Sequence, residues 1–351
     1  MNHKQSLEFV GPPTALLLTA SITFLCLGTG LRAENDAAYS RAAKLYERID
    51  AAITPADYQA LASDCVRRLR LTPGNTNEPA AQVLLRIVAE KPDVLKPYVP
   101  TLLEYVGDAD RSSTMRCYEL QVVGLAGGNA DQILPVLEKA LGNSSLSDFF
   151  ARFYAAQAIL RIDSQHTGAI SFLINQVDAK EPTSRWTSAY IMRGLPKLSD
   201  RLTPILEKKL DDPHPSVRVY AAGALIRNQQ NKRLLEKIVQ TLSNAVKEDG
   251  RSAYLMPITF SEWTMPHNMI AVGYLKEIGP SAGSAVPVLL QALQSSEVEL
   301  RVVIPQAISA IGSGSDEEII ALTRVTQQDK SAYVRREAQK ALQVLYENKN
   351  E

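Results

Sequence analysis

The sequence predicts an all-α protein, a right-handed superhelical solenoid of about seven to eight stacked, antiparallel helix pairs. Three observations carry that expectation. A basic residue followed by small residues and then Leu or Ile recurs along most of the 351 residues at near-constant spacing. Apolar residues within each copy fall at helical intervals. Ala and Leu dominate a composition with only 6% aromatics, and unbranched side chains lose little rotamer freedom in a helix.

The anchor is the run Asp211 to Arg227, DDPHPSVRVYAAGALIR. Equivalent runs surround Arg116, Arg152, Arg185, Arg301 and Arg335, and a weaker copy places His267 in the same slot. Successive anchors from Arg116 are 36, 33, 33, 49, 34 and 34 residues apart. Ala81 occupies the slot of a further, degenerate copy. A period in the mid-thirties marks an array of helix pairs. The segment before each anchor, such as RLTPILEKKL, reads as the first helix. Pro is tolerated near its start because the missing N–H would be unpaired there. In the second helix, positions −1, +3, +6, +7 and +10 from the anchor are apolar or small; around Arg218 these are Val217, Ala221, Ala224, Leu225 and the exception Asn228. Neither helix can bury such a stripe alone, so stability must come from stacking.

These residues resemble the HEAT-repeat family, in particular the bacterial phycobilisome-lyase-like HEAT repeats, over about residues 76 to 347. The likeness rests on Val217-Arg218, Ala221-Ala222 and Ala224-Leu225, and on an acidic residue six positions before the basic one. Asp110 precedes Arg116, Asp212 precedes Arg218, and Asp329 precedes Arg335 at that separation. The resemblance implies that each acid pairs with its arginine, forming a ladder broken in the middle and near the 49-residue interval. It implies a HEAT or armadillo-like helical fold and is nearly silent on function, since the family includes scaffolds, transport factors, lyases and hydroxylases.

The ends and one interval depart from the period. Residues 1–33 read as a signal peptide: Lys4, an uncharged apolar run from Thr14 to Gly28, then Leu31-Arg32-Ala33 before Glu34. The competing reading is an uncleaved anchor, because Phe9 to Leu31 carries no charge. Export to the periplasm or envelope follows from either. Residues 34–75 are helical in pattern but match the repeat poorly, as an N-terminal cap should. Residues 76–351 form the array, interrupted by an insertion at about 231–264 that concentrates Tyr254, Phe260 and Trp263. That segment reads either as a recognition loop or as a plug filling the groove.

Several function classes lack their residues. Lys and Arg number 38 and Asp and Glu number 38, so no net charge attracts a polyanion and nucleic acid is excluded as a first partner. The histidines His166, His214 and His267 sit in different repeats, and none is followed by Glu. Iron-binding HEAT-type hydroxylases repeat His-Glu pairs on successive helices, so that chemistry is not expected. There is no Gly-rich phosphate loop, G-x-S-x-G or H-E-x-x-H. His214 is expected to cap a helix entrance. Cys65 and Cys117 lie more than one repeat apart and are expected to stay unpaired. No metal or other cofactor is expected, and lyase activity is implied only by the family resemblance.

The remaining candidate site is a stripe on the second helices. Positions +1, +5 and +8 point away from the core stripe and are assigned to the concave face. They are Phe153, Gln157 and Leu160, then Trp186, Tyr190 and Arg193, then Val219, Gly223 and Ile226. An outward stripe should be polar, and aromatic and Arg side chains dominate binding surfaces. Either this stripe holds a protein or peptide partner, or curvature or the insertion buries it. The C-terminal copy instead carries Arg336, Lys340 and Gln343, which suits a solvated cap. The function expected is an exported, non-catalytic scaffold for a protein or peptide partner; a membrane is met only through the N-terminal segment if it is retained. A lyase-type prosthetic-group chaperone and a purely structural assembly factor are the alternatives.

Overall fold

The computed structural model describes residues 36–52, 54–71, 78–144, 148–226, 232–248, 266–312 and 314–349. Among them there are helices and connecting turns and no strand. The predicted signal segment, the loop at 72–77, and Tyr254, Phe260 and Trp263 of the insertion lie outside the described residues.

The chain divides into two compact units, the first running to Leu173 and including Gly194–Lys197, the second comprising Ile174–Arg193 and Leu198–Glu351. The first unit opens with α1 (Asp36–Ala51), α2 (Pro55–Leu71) and α3 (Glu78–Glu90). A short α4 (Pro92–Leu95) leads into α5 (Val99–Gly107), which pairs with α6 (Ser113–Ala126). Next come α7 (Ala130–Gly142), paired with α8 (Phe149–Ile162), and α9 (Thr167–Val177), within which the boundary falls. The second unit contains α10 (Pro182–Arg193), α11 (Thr203–Lys209) paired with α12 (Pro215–Leu225), and α13 (Lys232–Lys247) paired with α14 (His267–Ile278). It ends with α15 (Val286–Ala292) on α16 (Val298–Ile311), and α17 (Asp316–Gln328) on α18 (Ala332–Lys349). This is the repeat predicted from the anchors: every anchor lies at the start of a second helix.

Each unit is layered the same way. Second helices pack on the next second helix, as α6 does on α8 and α16 on α18, while first helices form the other layer. Small residues set the spacing. A Cβ on Gly124 of α6 would lie 2.7 Å from the Ala158 Cα of α8, so only glycine permits this approach. Ser112 at the head of α6 and Ser315 at the head of α17 accept hydrogen bonds from Met115 N–H and Glu318 N–H, satisfying donors the helix leaves open. Those serines stop the chain from extending the preceding turn into the helix.

The N-terminal helices are more repeat-like than the sequence suggested. Gln82 of α3 accepts from the Tyr46 hydroxyl of α1 and donates to Tyr118 of α6 at 3.3 Å. Tyr46, Gln82 and Tyr118 are 36 residues apart, as are Arg86 and Asp50, which pair at 2.5 Å. Helix α1 therefore occupies a second-helix position beside α3, in register with the array. Part of the long interval is also accounted for, because α13 has 16 residues where α11 has seven.

Candidate functional site: the faces and ladders of the second helices

Burial corrects the expectation that positions +1, +5 and +8 line an open groove. Phe153, Gln157, Leu160, Trp186, Arg193, Val219 and Ile226 are all buried, and Tyr190 is half-buried. In the second unit these side chains face the next repeat, and in the first Phe153 packs within its own unit. Phe153 meets Phe172 edge-on at 5.1 Å, and Trp186 stacks on Tyr220 of the following second helix at 5.5 Å. Tyr190 meets the same Tyr220 ring edge-on at 5.5 Å. Arg193 donates to the Gly223 carbonyl at 2.6 Å, lies 4.2 Å over the Tyr274 ring and pairs with Glu277. A side chain on Gly223 would overlap that Tyr274 ring. The stripe is apolar because it is the seam between repeats. A second helix in a stack has two buried faces, one toward its own partner and one toward its successor.

The ladder is present, but its rungs connect differently from the prediction. Arg185 holds Asp212 through two hydrogen bonds of 2.9 Å each, 27 residues ahead, and donates Nη1 to the Ala179 and Lys180 carbonyls of its own turn. Arg218 holds Glu248 at 2.5 and 2.7 Å and donates Nη1 to the Asp212 carbonyl at 2.8 Å. Arg301 holds Asp329 at 2.8 and 3.2 Å and donates Nη1 to the Ser295 carbonyl. In the first unit Arg116 pairs with Asp148 and reaches the Val106 and Asp108 carbonyls.

So each arginine binds its own turn by its backbone and the next repeat by a carboxylate. The predicted pairs Asp110–Arg116, Asp212–Arg218 and Asp329–Arg335 are thereby corrected. Asp110 is exposed and apart from the ladder. Asp212 and Asp329 offer Arg218 and Arg335 their carbonyls, while their carboxylates belong to the preceding arginine. Burial pushes the Asp212 carboxyl up, but the Arg185 hydrogen bonds, the His214 N–H and the charges of Arg185 and Lys209 together outweigh it and hold it below the usual carboxylate range. For Asp329 the Arg301 hydrogen bonds are the larger cause, and its carboxyl is likewise lowered. Arg152, by contrast, donates to the Leu141 carbonyl at 3.0 Å and lies over Phe172.

His214 stands at the head of α12 without a capping side-chain bond; its backbone N–H instead donates to the Asp212 carboxylate at 3.0 Å. Cys65 and Cys117 are free and buried. Burial pushes the Cys65 thiol up to about 12 and raises Cys117 as well, so both are held as thiols. Among the described residues no three His, Cys, Asp or Glu side chains converge to hold a metal ion. No described helix is long and apolar enough to cross a membrane.

Comparison with known proteins adds little to this geometry. No family model and no curated protein matches the chain. Among solved structures it is similar to an engineered protein, at 18% identity and a TM-score of 0.38 over 87% of this chain and 84% of that one. It is similar to a mutant of Kap121p, at 14% identity and a TM-score of 0.44 over 83% of this chain and 34% of that one. A third is Kap95 in a Kap95:Nup1 complex, at 11% identity and a TM-score of 0.38 over 88% and 44%. The chain thus spans less than half of either Kap protein. With every TM-score below 0.5, the HEAT-like assignment rests on the paired helices and ladder above, and nothing supports the narrower phycobilisome-lyase-like group.

The sequence reading missed a different surface. Large hydrophobic side chains are exposed at Val298, Ile320, Tyr333, Val344 and Tyr346, all within the last three helices. Ile320, the most exposed at 59%, borders a shallow depression with Leu290, Glu317, Ala321 and Arg324. The second helices of the same repeats carry a polar row: Lys276 donates to Gln306, Gln306 to Glu337, and Lys340 to Glu337, each at 2.9 Å. The signal was available in the helix periodicity of α17, where Ile319 and Ile320 cannot both face the core.

Proposed function

We propose that this protein is an exported, non-catalytic scaffold that holds a protein partner through its C-terminal repeats. The observation that carries the reading is the concentration of exposed large hydrophobic residues between Val298 and Tyr346. Around Ile320 the depression joins it to Leu290 and Ala321 and is edged by Glu317 and Arg324, an apolar spot with a charged rim as in a protein contact. Export rests on the leader-like order of residues 1–33.

The test is capture from an envelope extract with the tagged full chain and its Ile320→Asp variant. Circular dichroism should match between the two, since Ile320 is exposed and its replacement removes no core contact. A partner retained by the native chain and lost from the variant supports the reading, as does a recovered mass lacking residues 1–33. A partner profile indifferent to Ile320→Asp removes the C-terminal surface. Recovery of the unprocessed chain in the soluble cytoplasmic fraction removes export.

A further inference from the structure

Arg335 is a ladder arginine whose outer edge no described residue fills. Arg185, Arg218 and Arg301 each use Nη1 on carbonyls of their own turn and turn the other side of the guanidinium to a carboxylate 27 to 30 residues ahead. Arg335 repeats the first half of that arrangement. Its Nη1 donates to the Asp329 carbonyl at 2.7 Å and the Lys330 carbonyl at 3.2 Å. No described residue supplies a carboxylate to its Nε and Nη2 edge, and the Asp329 carboxylate beside it is turned to Arg301. The guanidinium is thus oriented by its own turn with a planar two-donor edge left over, the geometry that binds a carboxylate bidentately.

The face around this edge corresponds to the one that α10 turns to α12 in the second unit. Position +1, buried as Phe153, Trp186 and Val219 in earlier repeats, is here Arg336, with a side chain 56% exposed. Position +5 is Lys340, 62% exposed. Tyr333 and Val344 extend the stripe at helical spacing, with the Arg336 guanidinium 5.3 Å over the Tyr333 ring. Three cations stand against one carboxylate, Glu337, which Arg336 and Lys340 already contact.

We propose that the terminal face of α18 binds an acidic, helix-leading turn of the partner protein, with Arg335 clasping its carboxylate as Arg185 clasps Asp212. Tyr333 and Val344 supply apolar contact on either side. The proposal rests on the scaffold reading and gives that partner its chemistry.

The probe is a labelled peptide copying residues 324–346 of this chain, which carries the acidic turn that fills the Arg301 rung, titrated into the full-length protein and followed by fluorescence anisotropy. Saturable binding is expected, weakened about tenfold in the Arg335→Gln protein, since a charged hydrogen-bonded contact is being lost. An Asp329→Asn peptide should bind the unaltered protein about as weakly, and combining both changes should add little further loss. The peptide variant leaves the protein untouched, so it separates recognition from misfolding. Absence of saturable binding, or binding indifferent to Arg335→Gln, would overturn the proposal while leaving the Ile320 capture result to judge the scaffold on its own. Self-association of the native chain that Arg335→Gln abolishes would also overturn it, by making a second copy the occupant.

Discussion

At Glu119, burial and an arginine pull a carboxyl in opposite directions. The residue is 1% exposed on α6, and Arg111 Nε donates to its Oε1 at 2.8 Å while Nη1 reaches the Leu69 carbonyl at the end of α2 at 2.9 Å. Oε2 is buried without a hydrogen-bond partner. Burial is the larger influence and lifts the carboxyl to about 7, against the lowering pull of Arg111. In the unfolded chain it ionises near its ordinary value of 4.5. Between those values the folded protein keeps a proton that the unfolded chain has released, so this group's contribution to stability falls as pH rises from about 4.5 to about 7. Asp64 behaves oppositely: burial would raise it, but hydrogen bonds from Arg48, Arg67 and Arg68 hold it at about 2, so its contribution is lost only as pH falls below about 4. Glu119→Gln removes the first titration and leaves the second. The stability difference between native and Glu119→Gln proteins, from urea unfolding at pH 4 to 8, should decline with rising pH in that window. A difference that is flat or increases would mean Arg111 rather than burial governs the carboxyl. Nothing in the sequence announced this pair, because Arg111 lies in a turn and Glu119 occupies a helix position where a charge ordinarily faces water.

Between elements, the decisive quantity is how closely successive second helices approach. At Gly124 an added Cβ would press on the Ala158 Cα and Cβ at 2.7 and 2.8 Å, backbone that cannot rotate away. Gly124→Ala should therefore cost about 1–3 kcal/mol by forcing α6 and α8 apart. Gly107, at the end of α5, has nothing within 4 Å of the same atom. Gly107→Ala should be neutral or stabilising by up to about 1 kcal/mol through the unfolded chain's lost freedom. Guanidinium unfolding of the two variants checks both, and equal effects would deny the close approach. The same seam explains what periodicity could and could not reveal. Val217, Ala221, Ala224 and Leu225 were identifiable as core because a 3.6-residue stripe names one face. Phe153, Trp186 and Val219 were misassigned because the pattern of a single helix cannot say that a second face meets another helix, as Phe153 meets Phe172 and Trp186 meets Tyr220. The composition of that face, Phe, Trp, Val and Ile, was the clue to burial. In the copy around Arg335 the face becomes Arg336, Lys340 and Gln343, and those polar side chains are exposed.

In a stacked array stability is approximately a sum of repeat and nearest-neighbour terms. The second unit's ladder is the clearest case. Arg301 and Asp329 are 12% and 7% exposed as side chains and tie the last helix pair to the one before it. The sequence showed both residues but paired Asp329 with Arg335, six positions away, because proximity along the chain is visible there and proximity across a seam is not. Rungs made by Asp148 and Glu248 were hidden for the same reason, since neither stands six residues before its anchor. Replacing Asp329 with Ala leaves the half-buried Arg301 guanidinium with its Ser295 carbonyl but no carboxylate, a loss of about 1–3 kcal/mol. In a nearest-neighbour array that loss should stay local. Hydrogen exchange in Asp329→Ala should therefore accelerate in α17 and α18, where protection depends on that seam. Amides of α6 and α8 in the first unit should exchange at their native rates. Acceleration spread evenly over both units would show a single cooperative core instead, and with it the repeat description of the energetics would fail even though the helices are repeats in form.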